Sequence, residues 1–319
     1  MILLSFLMNP VPCLIKPCPF PLGPTLPPNN LRMTMKAFLL SLLLLIVPCS
    51  LPAQISWSNI KSSAAALYNM SQYKVPVTGR KFTNLIPNDM LYSLCNDQYK
   101  KYVQRGRSSN SKYKAQLNRV AGRLRTAVTE LYRQEGRSSE LSNFHWEFNV
   151  LKSSDANAFC MYGGKIAVYE GMFSIATDDA SLAVVLAHEA AHAIAKHSAE
   201  QMTKDIITAG GVGLAYAFIA GSDISDRKKS LAKAMAVASA TLASLKFSRI
   251  DETEADRIGL ILVALAGYDP EAAIPFWERM EAKSKLKTTR DWFSTHPSYA
   301  NRIQNIRSCM PEAKKYYRK

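Results

Sequence analysis

The chain has 319 residues, with 40 Lys or Arg against 25 Asp or Glu and a formal net charge of +15. That length suits one well-packed domain preceded by a leader, and no internal repeat is visible. The basic excess clusters at residues 100–107, 119–125 and 314–319 with no nucleic-acid recognition motif beside it. Nucleic acid is therefore excluded as the expected partner, and the charge reads as a solvated surface or as attraction to an anionic membrane surface.

Residues 1–32 are expected to be an over-called start or a disordered proline-rich leader, since residues 10–28 hold eight prolines and no periodicity. Residues 33–53 read as a signal peptide. Lys36 precedes the eleven-residue, mostly apolar run from Ala37 to Val47, which is too short to span a bilayer, and Leu51-Pro52-Ala53 offers a cleavage site. Pro48 before Cys49 does not suit lipidation. The expected address is export, periplasmic or membrane-associated in a bacterial cell envelope. Residues 54–319 are expected as a single domain, with N-terminal helices over 54–140 and a catalytic core over 141–319.

Helices are expected over 55–74 and 87–135, the second carrying the apolar stripe Tyr113, Leu117, Val120, Leu124, Val128 and Leu131. Strands are expected over 144–151 and 157–170, with a turn at Gly163-Gly164. Ile166 and Val168-Tyr169-Glu170 read as an edge strand able to hold an extended peptide by backbone pairing. Beyond the leader, Cys95, Cys160 and Cys309 allow at most one disulfide.

The next helix, capped at Asp178-Asp179 and running from Ser181 to Lys204, carries His188-Glu189-Ala190-Ala191-His192. Positions four apart lie on one helical face, so both imidazoles reach one zinc ion while Glu189 stands beside it to handle a proton from water. The surrounding positions are apolar on nearly every face, as in a buried helix. Two His and a Glu there need partners, which a metal supplies. The position six past His192 is Ser198 and the required glycine is Ala195, so the third ligand comes from elsewhere. His197 points away from His192 on a helical wheel and reads as a surface histidine.

Residues 206–220 and 231–245 read as a small-residue helical hairpin, with a membrane-dipping hairpin as the rival. A further helix starts at Ser248 and ends near Gly267 and Pro270. Its Glu252 and Asp256 share a face, so one carboxylate can bind the metal and the other can accept a hydrogen bond from a ligand imidazole. Further helices are expected over 270–283 and 298–308.

The H-E-x-x-H helix, followed about sixty residues on by Ser248-Arg249-x-x-Glu252-x-x-Ala255-Asp256, resembles the HtpX, BepA, LoiP and Oma peptidases, gluzincins related to the CAAX prenyl protease. Asn157-Ala158-Phe159 with Gly163-Gly164-Lys165-Ile166-Ala167-Val168, and Thr295-His296-Pro297 with Arg302-Ile303, resemble two more blocks of that family. Tyr162 stands where the family usually has proline.

The resemblance implies an α+β, predominantly helical, zincin-like metallopeptidase domain with a small antiparallel β-hairpin or sheet beside the active helix. It implies one zinc ion held by His188, His192 and Glu252, with Glu189 as general base and then proton donor, and Asp256 supporting a ligand. His296 would lie near the metal, polarising the substrate carbonyl or stabilising its oxyanion. Asn157, Ile166 and Val168 would line the substrate path. The expected function is cleavage of protein or peptide substrates, misfolded or from the cell envelope. The alternative is a chaperone or assembly factor that binds clients with little or no proteolysis.

Overall fold

The computed structural model describes residues 72–205, 246–283, 290–297 and 301–318. The leader, the signal peptide, most of the first expected helix and the hairpin over 206–245 lie outside these residues. All the described residues belong to the unit Pro52–Lys319.

Strands β1 (Gln72–Lys74) and β2 (Lys81–Thr83) form an antiparallel hairpin. A helix was expected to reach residue 74. Pro76 cannot continue a helix, and Val77 and Gly79 both adopt positive φ, so the chain folds back instead. The expected helix over 87–135 is two helices, α1 (Asn88–Gly106) and α2 (Ser111–Gln134). They separate because the Asn110 side chain accepts from the Tyr113 amide at 3.2 Å and starts α2 anew. The stripe Leu117, Val120, Leu124, Val128 and Leu131 is buried as its spacing predicts.

Strands β3 (Glu147–Leu151), β4 (Ala158–Met161) and β5 (Lys165–Tyr169) form one sheet in the order β3-β5-β4. β4 and β5 make the expected antiparallel hairpin, and β3 adds to β5 in parallel. The turn holds Gly163 at φ +87° and Gly164 at φ +80°, and added Cβ atoms there would lie 2.5 Å from Tyr92 and 2.6 Å from Trp146. Both glycines are required by conformation and by close approach.

One expectation is corrected. Ile166 and Val168 lie on the central strand, not on an edge, and both are wholly buried. The unbroken apolar run Ile166-Ala167-Val168 is that of a strand covered on both faces. β4 is the edge.

Helix α3 (Asp179–Ala195) carries the two motif histidines, and Asp178 caps it by accepting from the Ser181 amide at 2.7 Å. Helix α4 (Arg249–Leu265) begins with a reciprocal cap: Ser248 Oγ accepts from the Asp251 amide, and the Asp251 carboxylate accepts from the Ser248 amide. It ends at Gly267, φ +75°. After the break at Lys196 residues 197–205 are helical again, and helices α5 (Ala273–Ala282), α6 (Arg290–Thr295) and α7 (Arg302–Lys314) follow α4. Cys95, Cys160 and Cys309 are free thiols, and among the described residues no helix is long and apolar enough to cross a membrane.

α3 and α4 pack directly on each other, sharing one hydrophobic core with α2. They approach closely at Gly259, where a Cβ would lie 3.2 Å from the His188 amide nitrogen. Gly259→Leu should force the two helices apart and destabilise the fold by about 1–3 kcal/mol, the usual cost of overpacking. Thermal and denaturant unfolding beside the wild type measure this.

Candidate metal centre

The α3–α4 crossing sets the His188 and His192 imidazoles against the carboxylate of Glu252. His188 Nε2 and His192 Nε2 are 3.2 Å apart. Glu252 Oε2 lies 3.5 Å from His188 Nε2, and Oε1 lies 3.4 Å from His192 Nε2. Zinc bound tetrahedrally at its usual N and O distances of about 2.0–2.2 Å places its ligand atoms about 3.3 Å from one another. His188, His192 and Glu252 therefore already stand at the separations one zinc ion imposes. His296 joins them: one ligand atom from each of the four residues fits within 4.8 Å, and all four residues are buried. Its Nδ1 is 3.0 Å from Glu252 Oε1.

Two further observations fit a dication. Glu252 Oε2 and Glu189 Oε1 are buried without a hydrogen bond among the described residues. Glu252 and Asp256 both face the buried guanidinium of Arg302, and Glu189 is buried beside them, so a dication there offsets carboxylate charge that burial penalises. Burial works against the Glu252 charge, but His296, His188 and His192 hold its carboxyl well below the ordinary range. Burial also drives His192 toward its neutral form, the form a metal ligand needs. His188 is disfavoured as a cation by burial, yet Asp256 and Glu252 lift it to about 9.

Asp256 lies where its spacing from Glu252 predicts, with Oδ1 3.0 Å from His188 Nδ1, and Arg302 braces it at 2.7 Å. Glu189 Oε2 accepts from the Cys160 amide on β4 at 3.0 Å, and its Oε1 lies 3.4 Å from His296 Nε2. Burial raises the Glu189 pKa. A cleft of about 70 Å³ opens onto Glu189 and His296, with Asn157, Phe159 and Phe247 in its wall. Ile166 and Val168 do not reach it.

Aromatic rings fix the imidazoles. Phe247 stacks on His192 at 4.0 Å and Trp292 on His296 at 4.5 Å, while the Arg302 guanidinium lies 3.4 Å over the Trp277 ring. The Phe247 amide donates to the Thr295 carbonyl, and this ties the approach to α4 to the end of α6 and holds His296 opposite the motif helix.

His197 corrects the surface-histidine expectation: it is 1 % exposed, with Nδ1 2.8 Å from His192 Nδ1. The helical wheel failed because α3 stops at Ala195. Lys196 turns to φ +56° and redirects the chain. Sequence reading also missed Glu254, which meets His197, and Arg80 and Thr78, which meet Glu254. Burial raises the Glu254 pKa, but His197, Arg80 and Thr78 bring it down to about 2. A carboxyl depressed in the folded state stabilises above its unfolded pKa of about 4.5 and loses that contribution as pH falls toward 2. Glu254→Gln should therefore lower stability at neutral pH and flatten its decline between about pH 4.5 and 2, measured by urea unfolding across that range.

Residues 118–310 match the model of peptidase family M48. The chain is 33% identical over 240 residues to the mitochondrial metalloendopeptidase OMA1 of Schizosaccharomyces pombe, covering 75% of this chain and 66% of that protein. It is 33% identical over 186 residues to the mitochondrial metalloendopeptidase OMA1 of Homo sapiens (55% and 34%). It is 29% identical over 171 residues to the beta-barrel assembly-enhancing protease of Yersinia pestis (52% and 34%). The chain thus spans about one to two thirds of these relatives' lengths. The relatives named as mitochondrial overturn the expected exported, periplasmic or cell-envelope address. An apolar run behind one lysine is a feature that segments addressed to different membranes share, so it does not fix a compartment. Matched over most of its described length, the chain belongs to peptidase family M48, and its domain is a zinc metalloendopeptidase domain.

Proposed function

We propose that this chain hydrolyses internal peptide bonds of protein substrates, with His188, His192 and Glu252 holding one zinc ion and Glu189 as the general base. The observation that carries the reading is the set of separations of 3.2, 3.4 and 3.5 Å among the three ligand side chains, with Glu189 immediately beside them. Bound zinc supplies Lewis acidity, which brings water to a pKa near 7 and polarises a carbonyl.

The protein's own groups do the rest. Glu189 takes the proton from the attacking water and delivers it to the departing amine. Its Oε2 is anchored by the Cys160 amide, so Oε1 is the oxygen that works. Burial raises its pKa, the direction that makes a carboxylate a better proton acceptor. His296, with Nε2 3.4 Å from Glu189 Oε1, stands where it can donate to the developing oxyanion. Asp256 accepts from His188 Nδ1–H and fixes that ring with Nε2 toward the metal.

An extended substrate pairs with β4, the edge strand, with Asn157 at its start. This places the peptide against the strand whose amide already holds Glu189. The backbone supplies the affinity, and the narrow cleft beside Phe159 receives a side chain.

Glu189→Gln should keep one equivalent of zinc and lose chelator-sensitive casein cleavage by roughly 10²–10⁴-fold. Zinc content by mass spectrometry and single-turnover cleavage test it. Undiminished cleavage would remove Glu189 as base, and a biological role that survives the substitution would favour client binding without proteolysis. Glu252→Ala should weaken zinc binding sharply, and equal affinity in wild type and variant would displace Glu252 from the ligand set.

A further inference from the structure

Behind each motif imidazole stands a carboxylate braced by an arginine, reached by routes of different length. His188 reaches Asp256 directly, and Asp256 is held by Arg302. His192 reaches its carboxylate through a second imidazole. His192 Nδ1 is 2.8 Å from His197 Nδ1, and His197 Nε2 is 3.0 Å from Glu254 Oε2. Glu254 Oε2 accepts from Arg80 Nε at 2.9 Å and Nη2 at 2.7 Å, and Oε1 accepts from the Thr78 hydroxyl at 2.5 Å. His197 and Glu254 are both buried.

We propose that His197, Glu254 and Arg80 are positioning residues of the metal centre, and that the β1–β2 hairpin is thereby part of it. The inference rests on the reading of His192 as a zinc ligand. An imidazole that binds metal through Nε2 carries its proton on Nδ1. His192 Nδ1–H then donates to a bare His197 Nδ1, which puts the His197 proton on Nε2, where the Glu254 carboxylate accepts it. Two neutral rings and one carboxylate satisfy every contact in a single proton arrangement. The reverse arrangement, with the proton on His192 Nε2, would aim it at His188 Nε2 and block the metal.

Arg80 and Thr78 both come from the hairpin and precede the stretch 118–310 matched by the family model. The same hairpin holds the end of α3, since the Tyr73 hydroxyl donates to the Ile194 carbonyl at 2.8 Å and the Lys196 ammonium sits 4.2 Å over the Tyr73 ring. Lys196 ends α3 in the left-handed conformation, and this turn swings His197 behind His192.

The test is zinc affinity of the full chain by chelator competition, together with the visible spectrum of the cobalt-substituted protein. His197→Leu should bind zinc about 10–100-fold more weakly, the usual effect of losing a group that orients a ligand. Glu254→Gln should show a smaller loss. The double variant should bind no more weakly than His197→Leu alone, because the two act as one relay. Arg80→Lys should bind closer to wild type than Arg80→Leu, and the cobalt spectrum should change in His197→Leu. Loss of packing alone would lower the unfolding temperature and leave both readouts in place at temperatures where the protein is fully folded. A folded His197→Leu with wild-type affinity and spectrum overturns the proposal, as do additive losses in the double variant. If His197→Leu does not fold, Glu254→Gln decides by the same measure. His192→Ala separates the levels: unchanged zinc affinity there removes the metal-site reading itself, whereas a loss there with none in His197→Leu removes the relay alone.

Discussion

The crossing of α3 over α4 at Gly259 is the constraint on which the rest of this structure depends. With no Cβ at that point the helix backbones approach closely enough for side chains of ordinary length to meet. Within two turns of that point, the motif imidazoles of α3 face the carboxylates of α4. Helical periodicity then does the ordering: Glu252 and Asp256, one turn apart, both turn toward His188, while Glu254 turns to the other side and faces His197. The first two turns of α4 thus supply the proposed ligand Glu252 and the two carboxylates that meet the imidazoles.

Burying that much charge is costly unless it is connected. Around His188 the connection is Arg302, which bonds Asp256 and lies over the Trp277 ring. Around His197 it is Arg80, shared between Glu254 and Glu200. The Glu254–Arg80 pair is self-compensating. The inner group differs: Arg302 meets Asp256 and Glu252, while Glu189 Oε1 and Glu252 Oε2 are buried without a hydrogen bond among the described residues. Buried carboxylates enclosed by Phe247, Trp277 and Trp292 attract a divalent cation more strongly than they would in water, since the same low dielectric that penalises unpaired carboxylates strengthens their attraction for a dication.

What could be read in the sequence follows from how local the geometry is. His188, Glu189 and His192 were legible because i and i+4 on one helix fix their relation, and Glu252 with Asp256 for the same reason. The β4–β5 hairpin was legible from its glycine turn. Failures came where local rules stop. His197 was misread because Lys196, a residue with a Cβ, takes the left-handed conformation that ends α3, and a helical wheel assumes no such break. Ile166 and Val168 were placed at an edge although an unbroken apolar run marks a central strand; strand order depends on β3, and nothing local announces a parallel partner. Arg80 meets Glu254 across 174 positions of chain, and no spacing rule spans that distance.

The two supporting routes also differ in what they tie together. His188 is braced from α4 and α7, elements inside the stretch that defines the family. His192 is braced from the hairpin, which buries Tyr73 and Phe82 in the core but consists of two strands of three residues each. A two-stranded hairpin of that size has little stability of its own, so its place is set by what it grips: the end of α3 through Tyr73, and Glu254 through Arg80 and Thr78. The dependence is therefore mutual. The ligand ring needs the hairpin to hold its orientation, and the hairpin needs the buried carboxylate to stay seated. The metal centre is complete only when segments far apart in sequence have all arrived, which makes its geometry a property of the finished fold rather than of the motif helix alone.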